Sequence, residues 1–174
     1  MSFSLVSRDS SRPHNQFAKA KNKTINIYVD EGSFESPYYN FYDSKSKKIP
    51  EFIINLKQKY RFHRLDDVTS HPFYLSHSGE QDLPGGALKF RGKGDANDGI
   101  IGAQIFSLSF KKRDRKFIKS EGFIQYFCTA HPVMNGIIPI KGSKISEGGS
   151  EDALRNLLVG APESDSSIPL LWPN

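Results

Sequence analysis

The chain has 174 residues, 37% of them apolar and 25% charged, with a net charge of +5, which suits one domain with polar ends or at most two very small ones. No apolar run approaches the ~20 residues that a membrane-crossing helix needs. The single cysteine excludes an intrachain disulfide and every multi-cysteine zinc or iron–sulfur site.

Residues 1–23 carry five Lys/Arg against one acid and show no periodicity, so they read as a flexible basic arm. The opening Met-Ser-Phe-Ser-Leu-Val-Ser-Arg lacks the charged start and the apolar core of about 7–15 residues of a secretory signal. The expected compartment is therefore the cytoplasm, or the periplasm or another extracytoplasmic space if a signal has been removed. From Thr24 the texture changes. Thr24–Val29 alternates and is rich in β-branched residues, which predicts a strand. Residues 38–42, 52–56, 59–64 and 71–77 supply the next candidates. A Gly-rich excursion over residues 79–102 reads as a surface insertion, since it has no GxxxxGK[ST] and no helix after it. Alternation resumes over residues 104–110, 122–128 and 136–140. Between the first two of these, the run Lys111-Lys112-Arg113-Asp114-Arg115-Lys116 is predicted to be a solvated hairpin turn.

Short strands at regular spacing, with no long helix between them, point to an all-β antiparallel sandwich or barrel spanning residues 24–140. Residues 141–174 differ, holding three Lys/Arg against five acids. A Gly/Ser spacer leads into a short C-terminal helix predicted over 151–159. Ser150 caps it, Glu151 and Asp152 favour its positive end, and Gly160 stops it.

The chemistry concentrates in Tyr126-Phe-Cys128-Thr-Ala-His131-Pro-Val-Met134-Asn-Gly136. A thiol, an imidazole and a thioether lie close together at the exit of one predicted strand. Soft sulfur with imidazole suits copper, and a His₂Cys set with a weak axial Met is the blue-copper arrangement. Cys128 is the only cysteine, and Met134 the only methionine besides the initiator. The second imidazole must come from elsewhere. His14 sits in the arm, and His63 lies between Arg61 and Arg64 in a basic strand, where a solvated ring is expected. His71 and His77 share a strand face, but six residues put them about 20 Å apart, so they cannot hold one ion. His71 follows the turn Asp66-Asp-Val-Thr-Ser70 at one rim of the barrel. It is the predicted ligand, with His77 at the far pole.

The Cys-x₂-His-x₂-Met spacing of residues 128–134 resembles the metal loop of the cupredoxins, at the loop length of amicyanin. His71-Pro-Phe-Tyr followed by Tyr-Phe-Cys-Thr-Ala-His-Pro-Val-Met-Asn-Gly is similar to cupredoxin-like domains with His-Pro-Phe and Tyr-x-Cys-x-x-His-x-x-Met-Gly signatures. The resemblance covers roughly residues 24–140. It implies a Greek-key β-sandwich holding one copper ion, with His71, Cys128 and His131 as equatorial ligands and Met134 as the axial one. Pro72 departs from the pattern: it lacks the backbone N–H that supports the cysteine sulfur in many cupredoxins. That loss leaves electron density on sulfur and favours Cu(II).

The function expected is one-electron transfer by a Cu(I)/Cu(II) centre, without catalytic turnover, to a redox partner protein that is acidic if the basic run steers it. Two alternatives stand beside it: a cupredoxin-fold binding or assembly module without functional copper, and a copper carrier. No His-x-His pair exists to build the second centre of a multicopper oxidase. No GxSxG elbow marks a hydrolase serine. The basic run lacks the interleaved aromatics of a nucleic-acid stacking platform, so no nucleic-acid partner is expected.

Overall fold

The computed structural model describes residues 23–77 and 87–147. All but the last residue of the basic arm, and the helix expected over 151–159, lie outside them. Among the described residues nine strands run in chain order: β1 (Thr24–Val29), β2 (Phe41–Ser44), β3 (Lys47–Lys48), β4 (Lys59–Arg64), β5 (Phe73–Ser76), β6 (Leu88–Gly92), β7 (Ile105–Phe110), β8 (Phe123–Cys128) and β9 (His131–Pro139). Two short helices, α1 (Arg115–Glu121) and α2 (Lys144–Glu147), flank the last two strands. The fold is thus the expected all-β one, with two sheets and little helix.

The larger sheet has the order β3-β2-β1-β4-β7-β6, and the smaller one β5-β8-β9. Strand β4 returns beside β1 on the side away from β2, which is the spatial order of a Greek key. The pairing that closes it departs from the antiparallel expectation: it is parallel, in register from Thr24↔Lys59 to Val29↔Arg64, where a Greek key is antiparallel throughout. Every other ladder is antiparallel. Because β1 and β4 run the same way, both chains leave the sheet at the same pole.

Period-two alternation makes the core. Phe106, Leu108 and Phe110 of β7 face inward, as do Tyr60 and Phe62 of β4. The two sheets meet through aromatic rings. Phe62 lies 5.9 Å from Phe73 between centroids, and Phe41 lies 5.6 Å from Tyr126. Removing one such ring costs about 3–5 kcal/mol.

Four further sequence-based expectations are corrected. Residues 52–56 form no strand, and Ile54 makes only an isolated bridge to Ile140. The region read as a surface insertion carries β6, hydrogen-bonded along β7 from Leu88↔Phe110 to Gly92↔Phe106. Its later part is core: Ala96 and Ile100 are buried, and Ile100 bridges to Phe73. The run 111–116 is not a hairpin turn. A 3₁₀ turn over Lys112–Asp114 leads into α1, whose one buried side chain is Ile118. Gly122, at φ 89°, ends α1 by donating its N–H to the Ile118 carbonyl, a conformation that favours glycine. Finally, β9 starts at His131, five residues ahead of the predicted strand.

Candidate metal centre

Three chain segments reach one pole of the sandwich. Strand β8 ends at Cys128, opposite Phe73 at the start of β5, so the residue pair before β5 stands beside the cysteine. Thr129 N–H donates to the Pro72 carbonyl at 3.0 Å and ties the two segments together. Thr129 and Ala130 then turn the chain, and Cys128 pairs with His131. The next pair is Phe127↔Asn135, which leaves Pro132, Val133 and Met134 unpaired in a bulge. A bulge of this kind re-aims side chains: Pro132 and Val133 are exposed, whereas Met134 is fully buried.

The result brings His71, Cys128 and His131 together, with all three ligand atoms within 4.8 Å of one another. Both imidazoles present Nδ1 to the same point, 3.1 Å apart. Cys128 Sγ lies 3.5 Å from His131 Nδ1. Donors bound at ~2.0 Å (nitrogen) and ~2.3 Å (sulfur), subtending roughly 100–110° at an ion, would sit about 3.1–3.3 Å (N to N) and about 3.3–3.5 Å (N to S) apart. The two short separations match that geometry. Cys128 is fully buried and both histidines are half-buried, so the sulfur is shielded while the imidazoles reach the surface. Partial burial, and after it the charges of His131 and Arg64, hold the His71 imidazole below its ordinary pKa, against the opposing pull of Glu31. A neutral ring is the form that binds metal.

Met134 lines the same pole from within. A Cβ built on Gly32 would fall 3.0 Å from its methyl carbon and 2.8 Å from Tyr39 Cε1. His77 lies at the other end of β5, edge-on to Phe117 at 6.1 Å. His63 faces out from β4, stacked on Tyr28 at 4.8 Å and 3.2 Å from Asn26 Oδ1. His14 lies outside the described residues.

Several residues at this pole escaped the sequence reading. Phe34 is 60% exposed, yet its ring edge packs on both His71 and His131 at 5.1 Å each. The loop that carries it is pinned by Asp30, whose carboxylate accepts from the N–H groups of Gly32 and Asn40 at 3.1 and 3.0 Å. Tyr39 donates its hydroxyl to the His71 carbonyl at 2.8 Å. Burial, and after it the hydrogen bond and charge of Cys128, push the Tyr39 phenol far above its ordinary range. Arg64 lies beneath Tyr39, its guanidinium carbon 5.4 Å from the ring centroid.

The pole is thus a His₂Cys cluster compatible with a cupredoxin-like site. Comparison with protein-family models, curated proteins and solved structures finds no match to the chain.

Proposed function

We propose that this protein is a mononuclear type 1 copper protein that passes single electrons to and from a redox partner. The observation that carries the reading is the convergence of two imidazole nitrogens and one buried sulfur within 4.8 Å, with His131 Nδ1 at ligand-to-ligand separation from both His71 Nδ1 and Cys128 Sγ. The residues fit the metal by chemistry as well as by distance, because a thiolate, two imidazoles and a thioether are a soft donor set that suits copper. His71, Cys128 and His131 would hold the ion, and Met134 would supply the weak axial donor. Copper, when bound, supplies a one-electron step between Cu(I) and Cu(II). The protein's part is to exclude water with Phe34 and the aromatic core, and to keep the ligands from moving.

His131 is the proposed route for the electron, since it is half-buried beside Phe34 and Val133, which are 60% and 65% exposed. The acidic-partner reading has separate support at the far end of β8. There Lys57, Arg115, Lys116, Lys119, Lys141 and Lys144 line two neighbouring depressions around α1. Their positive field would steer an acidic partner toward the protein, while the electron itself passes at the His131 pole. We propose no catalytic turnover.

Titration of metal-free protein with Cu(II) tests the reading. One equivalent is expected to produce an intense thiolate-to-copper band in the visible, and Cys128→Ser to abolish it. A colourless wild type without tight copper would overturn the proposal. Tight copper that transfers rapidly to a chelating acceptor, without a reversible one-electron wave, would favour the carrier instead.

A further inference from the structure

Strand β4 turns Tyr60, Phe62 and Arg64 inward, and at the third position alternation calls for an apolar side chain. Arg64 is only 2% exposed. Its Nη2 donates to the Ser70 carbonyl at 2.9 Å, while Nε and Nη1 have no hydrogen-bond partner. The ion pairs among the described residues are all elsewhere, at Lys45–Asp66, Lys47–Asp43 and Arg113–Asp114. A buried guanidinium without an anion is costly, because desolvation is not repaid by one carbonyl and one ring face. Opposing that cost are Tyr39 first, then the Asp30 carboxylate and then Cys128.

The last of these belongs to the ligand cluster. Tyr39 stands between Arg64 and the loop, with the guanidinium against its ring and its hydroxyl on the His71 carbonyl, at 5.4 and 2.8 Å. Cys128, fully buried, pairs with Phe73 beside Pro72, whose carbonyl the Tyr39 hydroxyl also approaches at 3.4 Å. His71 itself is held at φ 46°, a left-handed backbone that a non-glycine residue adopts only when its surroundings enforce it. The surroundings here are Arg64 on the carbonyl of residue 70 and Tyr39 on that of residue 71.

We infer that Arg64 is a positioning and potential-setting residue of this centre: it is the fixed counter-charge of the Cys128 thiolate, and with Tyr39 it braces the loop that carries His71. The inference rests on the copper reading above. Two neutral imidazoles, a thioether and a thiolate bring one negative charge to the ion. A permanent positive charge in the dry core then penalises the extra charge of Cu(II) relative to Cu(I), and so raises the reduction potential. Arg64 would thereby oppose the effect of the missing N–H at Pro72.

The experiment compares wild type, Arg64→Met and Arg64→Lys by copper stoichiometry, visible spectrum and reduction potential. Arg64→Met is expected to bind copper but to lose at least tenfold of its preference for Cu(I) over Cu(II), a fall of about 59 mV for one electron. Arg64→Lys should recover most of it, which a purely structural role would not predict. An Arg64→Met potential within about twofold of the wild-type preference overturns the inference while leaving the copper reading intact. A wild type that binds no copper removes both. If Arg64→Met does not fold, nitrogen-15 spectra of the wild-type arginine side chains decide the matter. The Arg64 Nε–H signal is expected to shift and to exchange more slowly on loading with Cu(I), and an identical signal in both states refutes the pairing.

Discussion

Adding one methyl group at Gly32 tests the packing of the inner face of the centre. Gly32 has φ 82°, where an L-residue costs about 1–2 kcal/mol. The new Cβ would also fall 2.8 Å from Tyr39 Cε1, 3.0 Å from Met134 Cε and 3.1 Å from the Tyr38 carbonyl oxygen. Tyr39 is anchored through its hydroxyl, so it yields little. Met134 has three rotatable bonds and yields first. Overpacking of this kind adds about 1–3 kcal/mol, so Gly32→Ala should cost about 2–5 kcal/mol in all. For a chain of this size that is a fall in melting temperature of roughly 5–15 °C. Urea denaturation of the metal-free protein should show the midpoint falling with an unchanged slope. In the copper-loaded protein the thioether would be pushed aside, and the charge-transfer band should shift accordingly. Combining Gly32→Ala with Met134→Ala relieves part of the overlap, so the two costs should fall short of additive by about 1 kcal/mol. A Gly32→Ala protein as stable as wild type, or strict additivity in the pair, would refute the packing argument.

Phe34→Ala should cost the metal-free protein little, about 1–2 kcal/mol, because the ring is mostly exposed and gives up only two edge contacts. The same change should speed copper loss to a competing chelator by roughly tenfold, a loss of about 1.4 kcal/mol at the barrier, and an unchanged release rate would show that the ring does not shield the ligands. Acidification gives another test at His63, whose pKa is held below 6.5 by burial first and by Arg61 second, with Asp67 opposing. A depressed folded-state pKa means that the unfolded chain takes up the proton first. The contribution of His63 is therefore complete above pH 6.5 and is lost as the pH falls through the lowered value. His63→Gln should flatten the decline in urea midpoint below pH 6.5, and an identical slope in the two proteins would contradict the assignment.

The parts of the molecule legible in the sequence are those where one face is buried. Strand β4 occupies the predicted residues, and β7 starts one residue late, because Tyr60–Phe62 and Phe106–Leu108–Phe110 alternate without interruption. The Cys-x₂-His-x₂-Met loop and His71 were readable for a different reason: few residue types carry that chemistry. Strand β6 was hidden because it is an edge strand whose later residues are exposed, so its pattern carries little apolar signal. Helix α1 buries a single side chain over seven residues, too little for a 3.6-residue period to register. Tyr39 was recognised only as part of an extended segment. Its role depends on a contact across 32 residues of sequence, which no local pattern encodes.

Arg64 is the instructive case, since its signal was present and points the other way. In Lys59-Tyr-Arg-Phe-His-Arg64 the inward positions are 60, 62 and 64, so the same parity that puts Phe62 in the core puts a guanidinium there too. A shift of β4 by one residue would turn Lys59, Arg61 and His63 inward and expose the aromatic rings. The parallel register with β1, which sets Val29 opposite Arg64, therefore fixes three things at once. It seats the aromatic core and places Arg64 at the pole of the His₂Cys cluster. It also starts the loop of Asp30, Gly32 and Phe34 from the same edge as the turn that leads to His71. The ligand cluster is thus not an addition to a finished sandwich, because no register that preserves the core could leave Arg64 facing solvent.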